Sequence, residues 1–337
     1  MAEQQSYSSG TVSQDPLSMS DSGYVIGVDL GGSNLRLALA TMAGSVLGRW
    51  SGVTVGVTDP YEIVSLICTG VEQLLLETSI TRASIRAIAA GAPGITDAES
   101  GVVIATSYLM GWRNVPLREL LESRLGIPAA VDNDVNVAAI GESWMGAAKQ
   151  AGDFVFVAIG SGVGAGIVLN GRLYHGRGWT AGEIGYMLVP GTAEEPVASG
   201  KPGALEGLVG GEGIKTQWHT LWSKDRTPLS KDLTATEIFD HALAGDPLAQ
   251  RVLQQSARTL AYAIYDMALI LNCPLFVLGG GVGMHPALCN ATRIILEERG
   301  ARARPQLVLS SLGENAQLTG AIRLALDTAH LRTTPLL

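Results

Sequence analysis

Two stretches of the chain follow one plan. "YVIGVDLGGSNLRLALAT" (24–41) and "FVFVAIGSGVGAGIVLN" (154–170) each run from a β-rich segment through a glycine turn into a second β-rich segment. Elsewhere apolar strand-like runs ("IRAIAAGAP", "IPAAV", "PLFVLGG") alternate with helical periodicity over about 59–76, 116–125 and 135–148, and with long helices over about 236–271. Hairpins followed by alternating strands and helices predict two mixed α/β domains, with a ligand cleft between them. The repetition is one of element order, not of residues, and so only hints at duplication.

The second glycine run, "GSGVGAG", superficially resembles a dinucleotide fingerprint, but that motif needs a helix directly after its glycines. Here "IVLNGRLYHG" follows, which alternates as strands. There is no Walker A sequence, no Gly-x-Ser-x-Gly elbow and no His-Glu-x-x-His pair. The glycine turns can be plain hairpin turns, or they can cradle phosphate. Glycine lets backbone N–H groups approach an anion closely, Ser33 and Ser161 add hydroxyl donors, and Asp29 just before the first turn could hold magnesium directly or through water.

Between the two hairpins, "VDNDVNVAAIGE" sets Asp132 and Asp134 on either side of Asn133, at a strand end that leads into a helix. Either acid can cap that helix. A carboxylate held there, facing a cleft, can also serve as a general base.

Composition narrows the partners. With 47% hydrophobic and 16% charged residues the chain can build large cores, and a net charge of −8 argues against nucleic acid. Three cysteines without CxxC spacing suggest neither a disulfide framework nor a zinc ribbon, and fit a reducing, cytoplasmic setting. The five histidines form no metal spacing. Residues 1–23 are polar and Ser-rich and read as a tail, not a signal peptide. The most membrane-like run, 261–283, is interrupted by Asp266, Asn272 and Pro274 and reads as a buried helix entering a strand, so no membrane is expected.

Taken in order, "GVDLGGSNLR", "AAGAPGI", "GWRNVPL", "VDNDVNVAAIGE", "AIGSGVGAGIVLNGRLYHGRGWTAGEIGYM" and "FVLGGGVG" resemble the ROK family of sugar kinases and repressors. The resemblance implies an actin/hexokinase-like (ribonuclease H-like) α/β fold with an inter-domain cleft. It divides the chain into a small domain, 24–133, completed by a C-terminal helix at 315–332, and a large domain, 134–314. It also implies ATP and Mg2+ as cofactors, a sugar or sugar-like acceptor, and a homodimer.

By position, the resemblance makes Asp134 the general base, leaving Asp132 a structural role. Gly94, Asn133, Glu183, Tyr186 and Glu206 fall on the sugar side. Asp29, Gly31, Gly32, Ser33, Gly160, Ser161 and Gly162 fall on the phosphates, and Gly280 and Gly281 on the adenosine.

Two departures bear on the substrate. Tyr186 stands where the family usually has His, and "LVPGTAEEPVASGKPGA" lacks the family's Cys-rich zinc motif, so no zinc site is expected. Tyr108 aligns where many members carry a sugar-contacting Asn. The resemblance implies an ATP-dependent kinase acting on the primary hydroxyl of a hexose or hexose-like substrate, as in a glucokinase. Tyr186 and the missing zinc segment lean toward the alternative of an amino sugar, an N-acyl hexosamine or a cyclitol, without naming it. Family repressors carry a winged helix-turn-helix before the kinase-like part, and the 23 residues ahead of the first strand are too few for one. A regulator or a sugar sensor is therefore the lesser expectation.

Overall fold

The computed structural model describes residues 23–106, 109, 111–192, 202–300 and 302–333. In chain order, β1 (Tyr24–Leu30), β2 (Asn34–Thr41) and β3 (Val46–Val53) form a meander, and α1 (Pro60–Thr78) crosses to β4 (Ile85–Ala92). A small three-stranded sheet follows, from β5 (Ile95–Asp97), β6 (Val102–Ala105) and β7 (Arg113–Val115). α2 (Leu117–Leu125) leads to β8 (Ala129–Asn133), which runs directly into α3 (Asp134–Met145).

The second half holds β9 (Phe154–Ile159), β10 (Val163–Leu169), β11 (Arg172–Leu173), α4 (Glu206–Val209), α5 (Gly211–Leu221), α6 (Ala235–Leu243) and α7 (Pro247–Leu271). It closes with β12 (Leu275–Gly279), α8 (Pro286–Arg299), β13 (Gln306–Leu309) and α9 (Ala316–Thr333).

The two five-stranded sheets have the same topology. Their orders are β3-β2-β1-β4-β8 and β11-β10-β9-β12-β13. In each, three antiparallel strands are extended by two parallel ones. Such parallel additions need helical crossovers, and α1, α2, α7 and α8 provide them.

The central strands are apolar on both faces because both faces are covered. In β1, Ile26 and Val28 pack with Ile63 and Ile67 of α1, whereas Val25 packs with Leu318 and Ile322 of α9. In β9, Val155 and Val157 join the core made with α7 and α8, and Phe154 and Phe156 pack on Ala138 and Ala139 of α3.

The helices expected over 236–271 are α6 and α7, parted at Gly245; Asp246 caps α7 by accepting from Ala249 N–H, with Pro247 at its first turn. The short helices α4 and α5 were not picked out by periodicity. Among the described residues no helix is long and apolar enough to cross a membrane.

Candidate active site

β8 lies parallel to β4, with Asp132 opposite Gly91 and Asn133 opposite Ala92, so both strands end together at the cleft. Sequence reasoning offered Asp132 or Asp134 as the helix cap. The cap is instead Asn133, whose Oδ1 accepts from the N–H groups of Val135 (2.9 Å) and Asn136 (3.1 Å). The helix starts one residue earlier than expected, at Asp134, and Asn133 then has the extended backbone that a cap requires. Its Nδ2 donates to the Gly94 carbonyl at 2.9 Å, tying the cap to the turn after β4.

Asp132 is buried and has a supporting role. Its Oδ1 accepts from Asn133 N–H (2.7 Å) and Asn136 Nδ2 (3.1 Å), and its Oδ2 lies 2.7 Å from His175 Nε2.

Asp134 is thereby released from capping. Its carboxylate accepts Val135 N–H at 2.9 Å, and the residue is only partly covered. Desolvation by the surrounding protein raises its pKa most, the charges of Asp29 and then Glu183 raise it further, and the Val135 N–H pulls it down. The outcome is a pKa of about 7, the range in which a carboxylate can take a proton from a neutral hydroxyl near physiological pH.

Glu183 lies near enough to add its charge to this acid, and Glu206 and Tyr186 gather around Glu183. The chain turns into Glu183 through Gly182 at φ +94, where a Cβ would come within 1.9 Å of the Ala165 carbonyl. Glu206, at the start of α4, accepts Val163 N–H at 2.8 Å. Burial and then the charge of Glu206 hold the Glu183 carboxyl above the usual range. Tyr186 is 54% exposed, and its phenol is pushed up by burial and by both glutamates. Tyr108, and most of the segment expected to lack a zinc motif, lie outside the described residues.

A cleft of about 540 Å³, reached by Val135 next to Asp134, is lined by Asp29, Gly31, Ser33, Arg36, Gly280 and Gly281, among others. Three turns shape it. In the first, Gly31 N–H donates to Asn34 O (2.8 Å), and Thr54 holds the carbonyls of Gly31 and Ser33 through its hydroxyl and its N–H. Gly32 is partly exposed there and Ser33 exposed.

In the second turn, Gly160 N–H donates to Gly162 O at 2.9 Å, and Ser161 is exposed. In the third, Gly280 sits at φ +78, and Val282 and Gly283 donate their N–H groups to Ile159 O. A Cβ on Gly160 or Gly281 would meet nothing within 4 Å, so both backbones face open space. Asp29 is held by Arg36, whose Nε donates to Oδ2 at 2.8 Å, and the same guanidinium donates to Glu314 O at 2.8 Å. Bare backbone turns, exposed hydroxyls and a guanidinium fit a polyphosphate, and Asp29 is a carboxylate suited to a magnesium ion.

Sequence reasoning missed four residues of this neighbourhood: Arg36, Thr54, His175 and Glu142. Arg36 stands directly opposite Asp29 in the β1–β2 register and was findable as the cation of "GGSNLR". Glu142 is fully buried, accepting from Ser310 Oγ and from the N–H groups of Leu312 (3.3 Å) and Ala147 (2.6 Å). Its ties to Ser310 and Leu312 span about 170 residues, and no local pattern announces them.

Comparison with known proteins gives a consistent picture. The ROK family model matches residues 25–328. A glucokinase of Halalkalibacterium halodurans is 35% identical over 271 residues, covering 78% of this chain and 82% of its own. A xylose repressor of Caldicellulosiruptor bescii is 24% identical over 324 residues, covering 91% of this chain and 79% of its own. The ROK family glucokinase of Streptomyces griseus, solved in complex with glucose and AMPPNP, superposes with a TM-score of 0.75 at 27% identity, covering 90% of this chain and all of its own.

Proposed function

The chain belongs to the ROK family, and on that premise we propose that it is an ATP-dependent sugar kinase. It would phosphorylate the primary hydroxyl of a hexose or hexose-like acceptor, with Asp134 as general base. The observation that carries this reading is the Asp134 carboxyl itself. It is freed from capping by Asn133, poised near pH 7, and near enough to Asp29 of the first turn and to Glu183 to feel both charges.

Magnesium–ATP, when bound, supplies the phosphoryl group and the cation that offsets its charge. The chain's own residues do the rest. Gly31, Gly32, Ser33, Gly160, Ser161 and Gly162 present N–H and hydroxyl donors, while Gly280 and Gly281 leave room for the nucleoside. Asp29 would hold the metal, and Arg36 beside it adds positive charge where negative charge gathers. Glu183 and Glu206 accept from acceptor hydroxyls, and Asn133 has a second amide hydrogen available beyond the one given to Gly94. Asp134 Oδ takes the proton of the attacking hydroxyl. Closure would exclude water as a competing acceptor.

A modified hexose is the second reading of the acceptor, favoured by Tyr186. Its half-exposed ring beside Glu183 adds bulk and an apolar face to the acceptor side. The test is magnesium-dependent ATP turnover against glucose, mannose, fructose, N-acetyl hexosamines, amino sugars and cyclitols, with Asp134→Ala alongside. Turnover of one acceptor, reduced about 10²–10⁴-fold in the variant, is the expected result. Turnover unaffected by the substitution would remove Asp134 from the chemistry. A wild-type protein that binds a sugar but transfers nothing to it would support a sensor or regulator, as in the repressor branch of the similarity.

A further inference from the structure

Asp134 and Glu183 stand on different sheets: one follows β8 of the first, the other lies in the loop after β11 of the second. A mechanism that uses both needs their separation held. One polar contact spans that gap beside them. His175 Nε2 lies 2.7 Å from Asp132 Oδ2, two residues before Asp134. A carboxylate only accepts, so Nε2 carries the shared proton.

Each end of the contact is anchored. Asp132 is 3% exposed, and its second oxygen is occupied by Asn133 N–H and Asn136 Nδ2. The imidazole meets Trp179 edge-on, with centroids 5.4 Å apart, and Trp179 takes φ +61, unusual for a bulky residue. The His175 carbonyl accepts Ala181 N–H at 3.3 Å, so residues 175–181 close on themselves around the ring. From that closed turn the chain passes through Gly182, whose carbonyl accepts from Ala165 and Ile184 N–H, into Glu183.

We propose that His175 is a positioning residue. Through Asp132 it moors the 175–182 turn to the Asn133–Asp134 junction, and so sets the place of Glu183 relative to Asp134. This rests on the kinase reading for its catalytic consequence but not for the mooring itself. The ring acts through Asp132, and its contacts are with Asp132 and Trp179. The contact is also partly buried, where a hydrogen bond to an ionised group holds better than at an open surface.

Three variants test it: His175→Ala, His175→Gln and His175→Asn. A glutamine amide nitrogen reaches close to the place of Nε2, whereas asparagine falls a carbon short. Hydrogen–deuterium exchange on the ligand-free protein is read first. Amides of 176–186 are expected to exchange faster in the Ala and Asn variants and near the wild-type rate in the Gln variant, with β9 and α7 unchanged. Steady-state kinetics follow, where Ala and Asn should raise the acceptor KM roughly tenfold or more, leave the ATP KM within twofold, and be rescued by Gln.

Unchanged exchange over 176–186 would overturn the proposal, as would a Gln variant no better than Asn. A parallel rise of both KM values would overturn it too, since that is the sign of general loosening. If Ala does not fold, the Gln–Asn pair carries the same comparison. A wild type inactive on every acceptor would defeat the kinase reading alone, because the exchange experiment still decides whether the mooring exists.

Discussion

Asp134 is asked both to sit in desolvating surroundings near two other acids and to ionise there. The folded protein holds its proton more tightly than an unfolded chain would, since its pKa rises from an ordinary 3.8 to about 7. The stability associated with that proton is fully present below about pH 4 and is lost as pH rises through 7. Catalysis has the opposite sign, because the base works only when deprotonated. kcat/KM should therefore rise with pH through a midpoint near 7 in a full pH–rate profile. Asp134→Asn keeps an oxygen for Val135 N–H but cannot ionise. At pH 8 it should be the more thermostable protein, by about 2–4 °C for each kcal/mol relieved, with the gain shrinking toward pH 5 in thermal melts while turnover falls. A variant no more stable than wild type at pH 8 would mean that Asp134 is better solvated than its surroundings imply.

Among the elements, α3 and α9 carry the tightest approach. A Cβ on Gly320 would lie 1.7 Å from the Val137 carbonyl, and one on Gly141 would lie 2.3 Å from the Ala316 carbonyl. Backbone stands directly against backbone at this crossing, so no side chain can yield. α3 begins at Asp134, and its other face packs on Phe154, Phe156 and Val168 of the second sheet. Pushing it off α9 should therefore move the base as well as loosen the fold. Gly320→Ala is expected to destabilise by about 1–3 kcal/mol in urea titration, the usual scale of overpacking, and to lower kcat more than the ATP KM changes. Equal stability would show that the helices slide apart freely. None of this was legible in "AQLTGAIRLALDTAH", where the glycine reads only as a helix weakness. The helix itself was legible from its periodicity, but its partner lies far away in sequence.

At the scale of the whole molecule, the repeated strand–glycine–strand order became two sheets with one topology. That much was readable because alternation and glycine turns act locally. The strand end carrying Asp132 and Asp134 was readable for the same reason, whereas the choice of Asp134 over Asp132 came from the family resemblance. The pairing of Asp132 with His175, 43 residues away, and of Glu142 with Ser310 was not readable, because those contacts exist only once the sheets are brought together. Function on such a frame would depend on both halves at once. Asp29 and Ser33 come from the first sheet's hairpin, whereas Gly160, Gly280 and Glu183 come from the second half. Ligands that touch both sides bind a closed arrangement better than an open one, and that difference in affinity is what shifts the population. Acceptor and a non-hydrolysable ATP analogue together should then lower the radius of gyration in small-angle X-ray scattering, by more than either ligand alone. An unchanged radius, with binding of both ligands shown by calorimetry, would mean that the cleft is already closed and that water is excluded by fit alone.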